Sequence, residues 1–285
     1  MSKVALVTDS TAYIPAELVK SYDIHVVPLQ LIWGDKTYRD NVDITPAEFY
    51  ERLPHVKAHP STSQPSPAAF KELYSSLLEQ DYKILSVHIS SKLSGTIDSA
   101  TQAKQMLPGT PIEIVDSLST SMCMGFPVLA AARAAAQGAS LADCRTIAEQ
   151  GCKNSGILFV VDTLEFLRRG GRIGGAQAFL GTALNLKPIL EVREGRIEAV
   201  ERVRTLNKAI DRLLELIAER VGGRRPVSLA ALHAAAPEAA ETLLTRARAM
   251  YALSDVNEAV VSPVSPVIGV HAGPGTLGLA YMAGM

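Results

Sequence analysis

A chain of 285 residues with 28 Lys plus Arg against 29 Asp plus Glu has a formal charge of −1, so it lacks the basic excess expected of a nucleic-acid or anionic-membrane binder. Aromatic residues are only 5% of the total, too few for a base-stacking surface, and a chain of this length buries enough surface to fold without metal or disulfide. The three cysteines (Cys123, Cys144 and Cys152) are odd in number and lack CxxC spacing; they read as free thiols in a reducing compartment. His233 and His271 lie too far away in sequence to complete a zinc site with them.

The run over 4–8 predicts a buried strand and not a signal peptide. A helix over 15–22 opens with Pro15 at its first position, and a second strand over 24–33 turns back at Gly34-Asp35-Lys36. Helices are expected over 46–53 and 67–80, and an apolar strand over 84–89. Ser94 reads as the N-cap of a helix ending near Leu107, followed by a strand over 112–115. The greasiest stretch, 122–136, is interrupted by Pro127 and Arg133, so no membrane insertion is expected. The protein is expected to be soluble and cytoplasmic. Strand–helix alternation of this kind predicts a mainly parallel, Rossmann-like sheet with helices on its faces, and a cleft beyond the carboxyl ends of its strands.

The second half is α+β in character. A hairpin is expected from strands 186–192 and 197–203 about Glu194-Gly195, then a helix over 206–220, a strand over 227–233, a helix over 237–253, and strands over 256–261 and 267–271. The expected fold class is α/β, with an N-terminal domain of residues 1–155 and a second α+β domain of residues 156–285.

Four segments are too polar or too glycine-rich to be explained by packing alone: Thr8-Asp9-Ser10-Thr11, Ser61-Thr62-Ser63-Gln64-Pro65-Ser66, Ser90-Ser91-Lys92-Leu93-Ser94-Gly95-Thr96 and Val115-Asp116-Ser117. All four fall where the carboxyl edge of the sheet gathers its loops, so their hydroxyls are expected to converge. Each also has a plain reading: an Asx or ST turn for the first, a solvated linker for the second, an N-cap for Ser94. Capping and anion binding are compatible, because a helix N-terminus offers free N–H groups to a carboxylate.

These segments, with Ser99-Ala100 after Thr96, the run Leu164-Glu165-Phe166-Leu167-Arg168-Arg169-Gly170-Gly171-Arg172-Ile173, Val203-Arg204-Thr205, and His271 ahead of Gly273-Pro274-Gly275, resemble the DegV family. The likeness runs in order from residue 4 to about 281. It implies a two-domain α/β protein that buries one long-chain fatty acid between its domains and uses no cofactor. It further implies the fatty-acid-binding subunit of a bacterial fatty acid kinase: not an enzyme itself, but a carrier whose partner, the ATP-using kinase subunit, phosphorylates the acid. By the same resemblance Thr62 and Ser94 hydrogen-bond the carboxylate, with the Gly95 N–H close by and His271 joining through water. Arg172 and Arg204 would lie at the pocket mouth where the kinase docks. Taken alone, His271 reads as a core histidine, and Arg168 and Arg169 read as cations at a helix C-terminus marked by Gly170-Gly171. Arg172 lies past those glycines, where capping no longer explains it.

Gly273-Pro274-Gly275-Thr276-Leu277-Gly278 spells GxGxxG, but no helix, second strand and acidic residue follow it, so it is read as coincidence. No GxxxxGK[ST] occurs, which argues against a phosphotransferase acting alone. The rival enzyme reading, a serine esterase with Ser94 as nucleophile and His271 as base, lacks a GxSxG elbow and a third residue to orient the histidine.

Overall fold

The computed structural model describes residues 3–55, 59–181 and 186–285. The first part of the chain runs β1 (Val4–Asp9), α1 (Ala16–Ser21), β2 (His25–Val27), β3 (Gln30–Trp33), β4 (Lys36–Arg39), α2 (Pro46–Arg52), β5 (Ser61–Ser63), α3 (Pro67–Glu79), β6 (Lys83–His88), α4 (Thr96–Gln105) and β7 (Ile112–Asp116). Strands β2, β1, β6 and β7, in that order, make an all-parallel sheet. Five of the six residues in both β1 and β6 are buried, as expected of strands covered on both faces. Helices α3 and α4 seal one face through Phe70, Tyr74, Ala100 and Ala103.

Two long helices, α5 (Met122–Ala136) and α6 (Leu141–Asn154), lead into the second sheet. That part runs β8 (Ser155–Val160), α7 (Glu165–Arg169), β9 (Lys187–Arg193), β10 (Arg196–Val203), α8 (Leu206–Val221), β11 (Val227–His233), α9 (Pro237–Arg248), β12 (Val256–Pro263), α10 (Pro266–Ala272) and β13 (Leu277–Ala283). The sheet order is β10-β9-β8-β13-β11-β12, antiparallel except between β11 and β12. Strand alternation divides its side chains. Leu158, Val160, Leu229 and Ala231 pack under α8 and α9, while Ile157, Phe159 and Leu232 point the other way, toward the first half of the chain. Helix α5 packs against β1 of one sheet and against β8 and β13 of the other. A small antiparallel sheet, β4-β3-β5, lies beside them.

The α/β class, the parallel first sheet and the 186–203 hairpin are as expected, and four local expectations need correction. The strand expected over 24–33 is two strands in two sheets, because Pro28 between them has no N–H to donate and ends the ladder. Residues 267–271 are helical in α10, with Pro266 in its first turn; a five-residue apolar run does not reveal its period. Pro127 does not interrupt α5, whose helix continues through it. Ser61–Ser63 is a strand bonded to β3, not a linker. Strand β13, with all seven residues buried, was not anticipated. Among the described residues no helix is long and apolar enough to cross a membrane.

Candidate functional site

A cleft of about 920 Å³, counted with its open mouth, lies between the carboxyl edge of the parallel sheet and the inward face of the second sheet. Its wall is mainly apolar: Ile89 and Leu29 from the first half, Ile157, Phe159 and Leu232 from the second, and Val267 and Ile268 from α10.

The polar groups gather where β5, the Leu93–Ser94 loop, α10 and Arg172 meet. Thr62 Oγ1 lies 2.8 Å from His271 Nε2. Burial first, with the Arg172 and His59 charges adding, holds the His271 imidazole down at about 4, so the ring is neutral at physiological pH. Its Nδ1 is buried against Gly170 with no partner among the described residues, and an added Cβ at Gly170 would overlap the ring. A buried bare lone pair costs less than a buried unpaired N–H, so packing favours the tautomer with its proton on Nε2. The ring then donates to Thr62, and the Thr62 hydroxyl is free to donate into the cleft.

Ser94 Oγ lies 2.9 Å from Thr96 Oγ1. Gly95, not Ser94, is the N-cap of α4, and no side chain caps that end. The N-terminal N–H groups of the helix therefore lack intrahelical partners and add a partial positive charge. A Cβ on Gly95 would press on the amide of Gln64, which also lines the cleft. Arg172 donates through Nε to the Leu93 carbonyl (3.1 Å) and through Nη1 to the Gly170 carbonyl (2.7 Å). That pins an exposed cation to the rim.

Residues 3–284 match the model of the DegV family, described as a family of uncharacterised proteins. The chain belongs to the DegV family. A DegV domain-containing protein of Streptomyces coelicolor is 43% identical over 279 residues, 97% of each chain. A solved fatty-acid-binding DegV family protein from Thermus thermophilus superposes with a TM-score of 0.92 at 40% identity, over 99% of both chains. DegV of Bacillus subtilis, also described as a fatty acid binding protein, gives 0.89 at 36% identity over 99% of this chain and 100% of that one. A stearic-acid-binding protein from Eubacterium ventriosum gives 0.90 at 25% identity over 100% and 99%.

In this DegV chain the cleft unites Thr62, Ser94, Arg172 and His271, with Gly95 adjoining through Gln64. His271 meets Thr62 directly. Arg204 is exposed between β10 and Thr205, the N-cap of α8, and is not part of the cleft lining. Arg168 and Arg169 both pair with Glu165 at the end of α7, with Gly170 at the C-cap and Gly171 at φ +70°; the capping reading accounts for them.

The four polar segments do not all converge. Asp9 accepts from Thr11 N–H (3.0 Å), Thr11 Oγ1 (2.6 Å) and Ile89 N–H (2.9 Å), and contacts His88 Nδ1 at 3.1 Å. That buried knot ties the end of β1 to the start of the Ser90–Ser94 loop and does not line the cleft. Ser10 donates to Asp40 (2.7 Å), and Asp40 accepts from Val267 N–H (3.3 Å) at the start of α10. Asp116 and Ser117 line a separate hollow near Cys123 and Cys152. All three cysteines are free, and among the described residues no cluster of His, Cys, Asp or Glu could hold a metal. Tyr13, Thr120 and Ser121 were missed, although they line the cleft. The hydroxyl run Ser119-Thr120-Ser121, just after the Asp116-Ser117 signal, was the available clue.

The esterase dyad is not formed. Ser94 pairs with Thr96, and His271 Nε2 is engaged by Thr62. The other ring nitrogen has no partner to orient it.

Proposed function

We propose that the cleft holds one long-chain fatty acid and that this protein presents the acid's carboxylate to a separate ATP-dependent kinase for acyl-phosphate formation. In this reading the carboxylate lies among Thr62, Ser94, the Gly95 N–H and His271. Arg172 and Arg204 face the kinase. Residues 1–155 supply the carboxylate loops, and residues 156–285 cover the acyl chain.

The observation that carries the reading is a neutral hydroxyl–imidazole pair, Thr62 with His271, in a mainly apolar cleft. Burying a dozen methylenes contributes on the order of ten kcal/mol, at about 0.8 kcal/mol each, before association costs. Each hydrogen bond to the carboxylate adds about 1.5–3 kcal/mol. The tail therefore dominates affinity and the hydroxyls dominate orientation. Neutral donors also leave the carboxylate free to react, whereas a bidentate arginine clamp would occupy both of its oxygens. The fatty-acid-binding neighbours from Thermus thermophilus and Bacillus subtilis support the choice of ligand.

Two measurements test the reading. Delipidated protein should take up about one fatty acid per chain at micromolar concentration; no uptake would refute the binding role. With ATP, fatty acid and a cognate kinase, acyl phosphate should form. It should fall steeply in Arg172→Ala and Arg204→Ala, and Arg→Lys should rescue poorly because the planar fork is lost. Product from the isolated chain, or full activity in both variants, would refute the division of labour.

A further inference from the structure

Among the described residues, Tyr13 Oη, Thr120 Oγ1 and Ser121 Oγ are buried with no hydrogen-bond partner, and all three residues line the cleft. Each residue is more than nine-tenths buried. Native proteins rarely leave such groups unpaired, so three in one cleft call for an occupant.

Ser121 is the N-cap of α5, yet its side chain makes no capping bond. Its backbone sits at φ 58°, ψ −156°, a region occupied almost only by glycine. A 2.7 Å bond from its N–H to the Thr11 carbonyl holds it there, two residues before Tyr13.

The Tyr13 hydroxyl lies beside Ser265 without a hydrogen bond of good geometry. Ser265 precedes α10, whereas His271 is near the end of that helix, so the two polar regions are separated by roughly 9 Å at 1.5 Å per residue. An extended chain with 1.52 Å bonds at 111° advances about 1.25 Å per carbon, so this separation spans about seven carbons. It therefore reaches the interior of a long acyl chain and not its end.

We propose that Tyr13, Thr120 and Ser121 form a second, neutral polar subsite that receives a hydroxyl group on the interior of the acyl chain, so that the cleft prefers mid-chain hydroxy fatty acids. The proposal rests on the fatty-acid reading above. Three hydroxyls both donate and accept, which matches a ligand hydroxyl. A second carboxylate fits poorly: among the described residues the one cation lining the cleft is Arg172, at the other polar region, and the Asp40 charge already bears on Tyr13. A plain methylene chain would leave the three groups desolvated and unpaired.

The test is competition binding to the delipidated full chain, using octadecanoic acid and its monohydroxy isomers substituted at roughly carbons seven to twelve. At least one isomer should bind about tenfold more tightly than octadecanoic acid, the gain from one to two net hydrogen bonds. Tyr13→Phe, Thr120→Val and Ser121→Gly should each shrink that ratio, partly because octadecanoic acid then binds more tightly. Ser121→Gly suits the local backbone, which keeps the test open should another variant fail to fold. If octadecanoic acid binds and no isomer exceeds it, or if the preference survives unchanged in all three variants, the subsite does not exist. If neither octadecanoic acid nor any isomer binds, the fatty-acid reading falls and takes this proposal with it.

Discussion

Gly170→Ala sets two opposed effects against each other. Gly170 sits at the C-cap of α7 with φ −73° and ψ −9°, where alanine is comfortable and would stabilise by about 0.4–1 kcal/mol by restricting the unfolded chain. An alanine Cβ would, however, overlap His271 Nδ1 and lie 2.8 Å from Cε1 and 3.1 Å from Cγ. The ring must withdraw. Thr62 lies 2.8 Å from Nε2, at the ring edge opposite the clash, so the ring cannot slide straight back and must swing aside, which breaks the alignment of that hydrogen bond. Overpacking of this kind costs about 1–3 kcal/mol, which, set against the backbone gain, leaves a net loss of up to about 2.6 kcal/mol. Thr62 then loses the partner that orients it, and fatty-acid affinity should fall about ten- to a hundredfold, the worth of one charge-assisted bond. Urea unfolding and ligand titration measure the two effects separately. In a His271→Ala background the ring is gone, and Gly170→Ala should become neutral or stabilising. Full affinity and stability in the single variant, or an equal stability loss in both backgrounds, would refute the packing argument.

Thr62→Val and Ser94→Ala should each weaken fatty-acid binding about ten- to a hundredfold. Gly95 and not Ser94 caps α4, but Ser94→Ala also strips the buried Thr96 hydroxyl of its Ser94 partner and should cost about 1–3 kcal/mol in urea unfolding; a stability loss with unchanged affinity would show that Ser94 is structural only. Burial pushes Asp40 up to about 6 from 3.8 and His271 down to about 4 from 6.5, so their acid responses have opposite signs. Between pH 6 and 3.8 the folded chain holds a proton on Asp40 that the unfolded chain lacks, and stability rises as pH falls. Between pH 6.5 and 4 the unfolded chain binds a proton that folded His271 does not, and stability is lost as pH falls. From about pH 7 to 4.5, Asp40→Asn should therefore lose about 1–3 kcal/mol relative to wild type and His271→Gln should gain a similar amount. Urea midpoints at the two pH values check this, and shifts of the same sign in both variants would contradict it.

Much of the architecture was legible from local pattern. The alternation of short strand-like runs with helical patterns in the first half announced a mainly parallel sheet, and Glu194-Gly195 between two β-rich runs announced the hairpin. The hydroxyls at Thr62 and Ser94 stood out because no packing role needed them. Short apolar runs were less readable: residues 267–271 became helix, and β13 escaped notice behind a glycine-rich stretch. Neither segment is long enough to show its period, and both are settled by neighbours distant in sequence.

By itself the sequence determined the element types of its long periodic segments, the DegV motif series, and which side chains carry hydroxyl, imidazole and guanidinium groups. Only the tertiary structure decided which of those groups share a cleft. Asp9 and Thr11, equally polar on paper, are consumed by a buried knot with His88 and Ile89. Thr62 and His271, 209 residues apart, come within 2.8 Å. Thr120 and Ser121 turn into the cleft because Ser121 is bonded to the Thr11 carbonyl. Hydrogen bonding is short-ranged and directional, so whether a hydroxyl is satisfied internally or left for a ligand depends on neighbours that chain folding, not chain order, supplies.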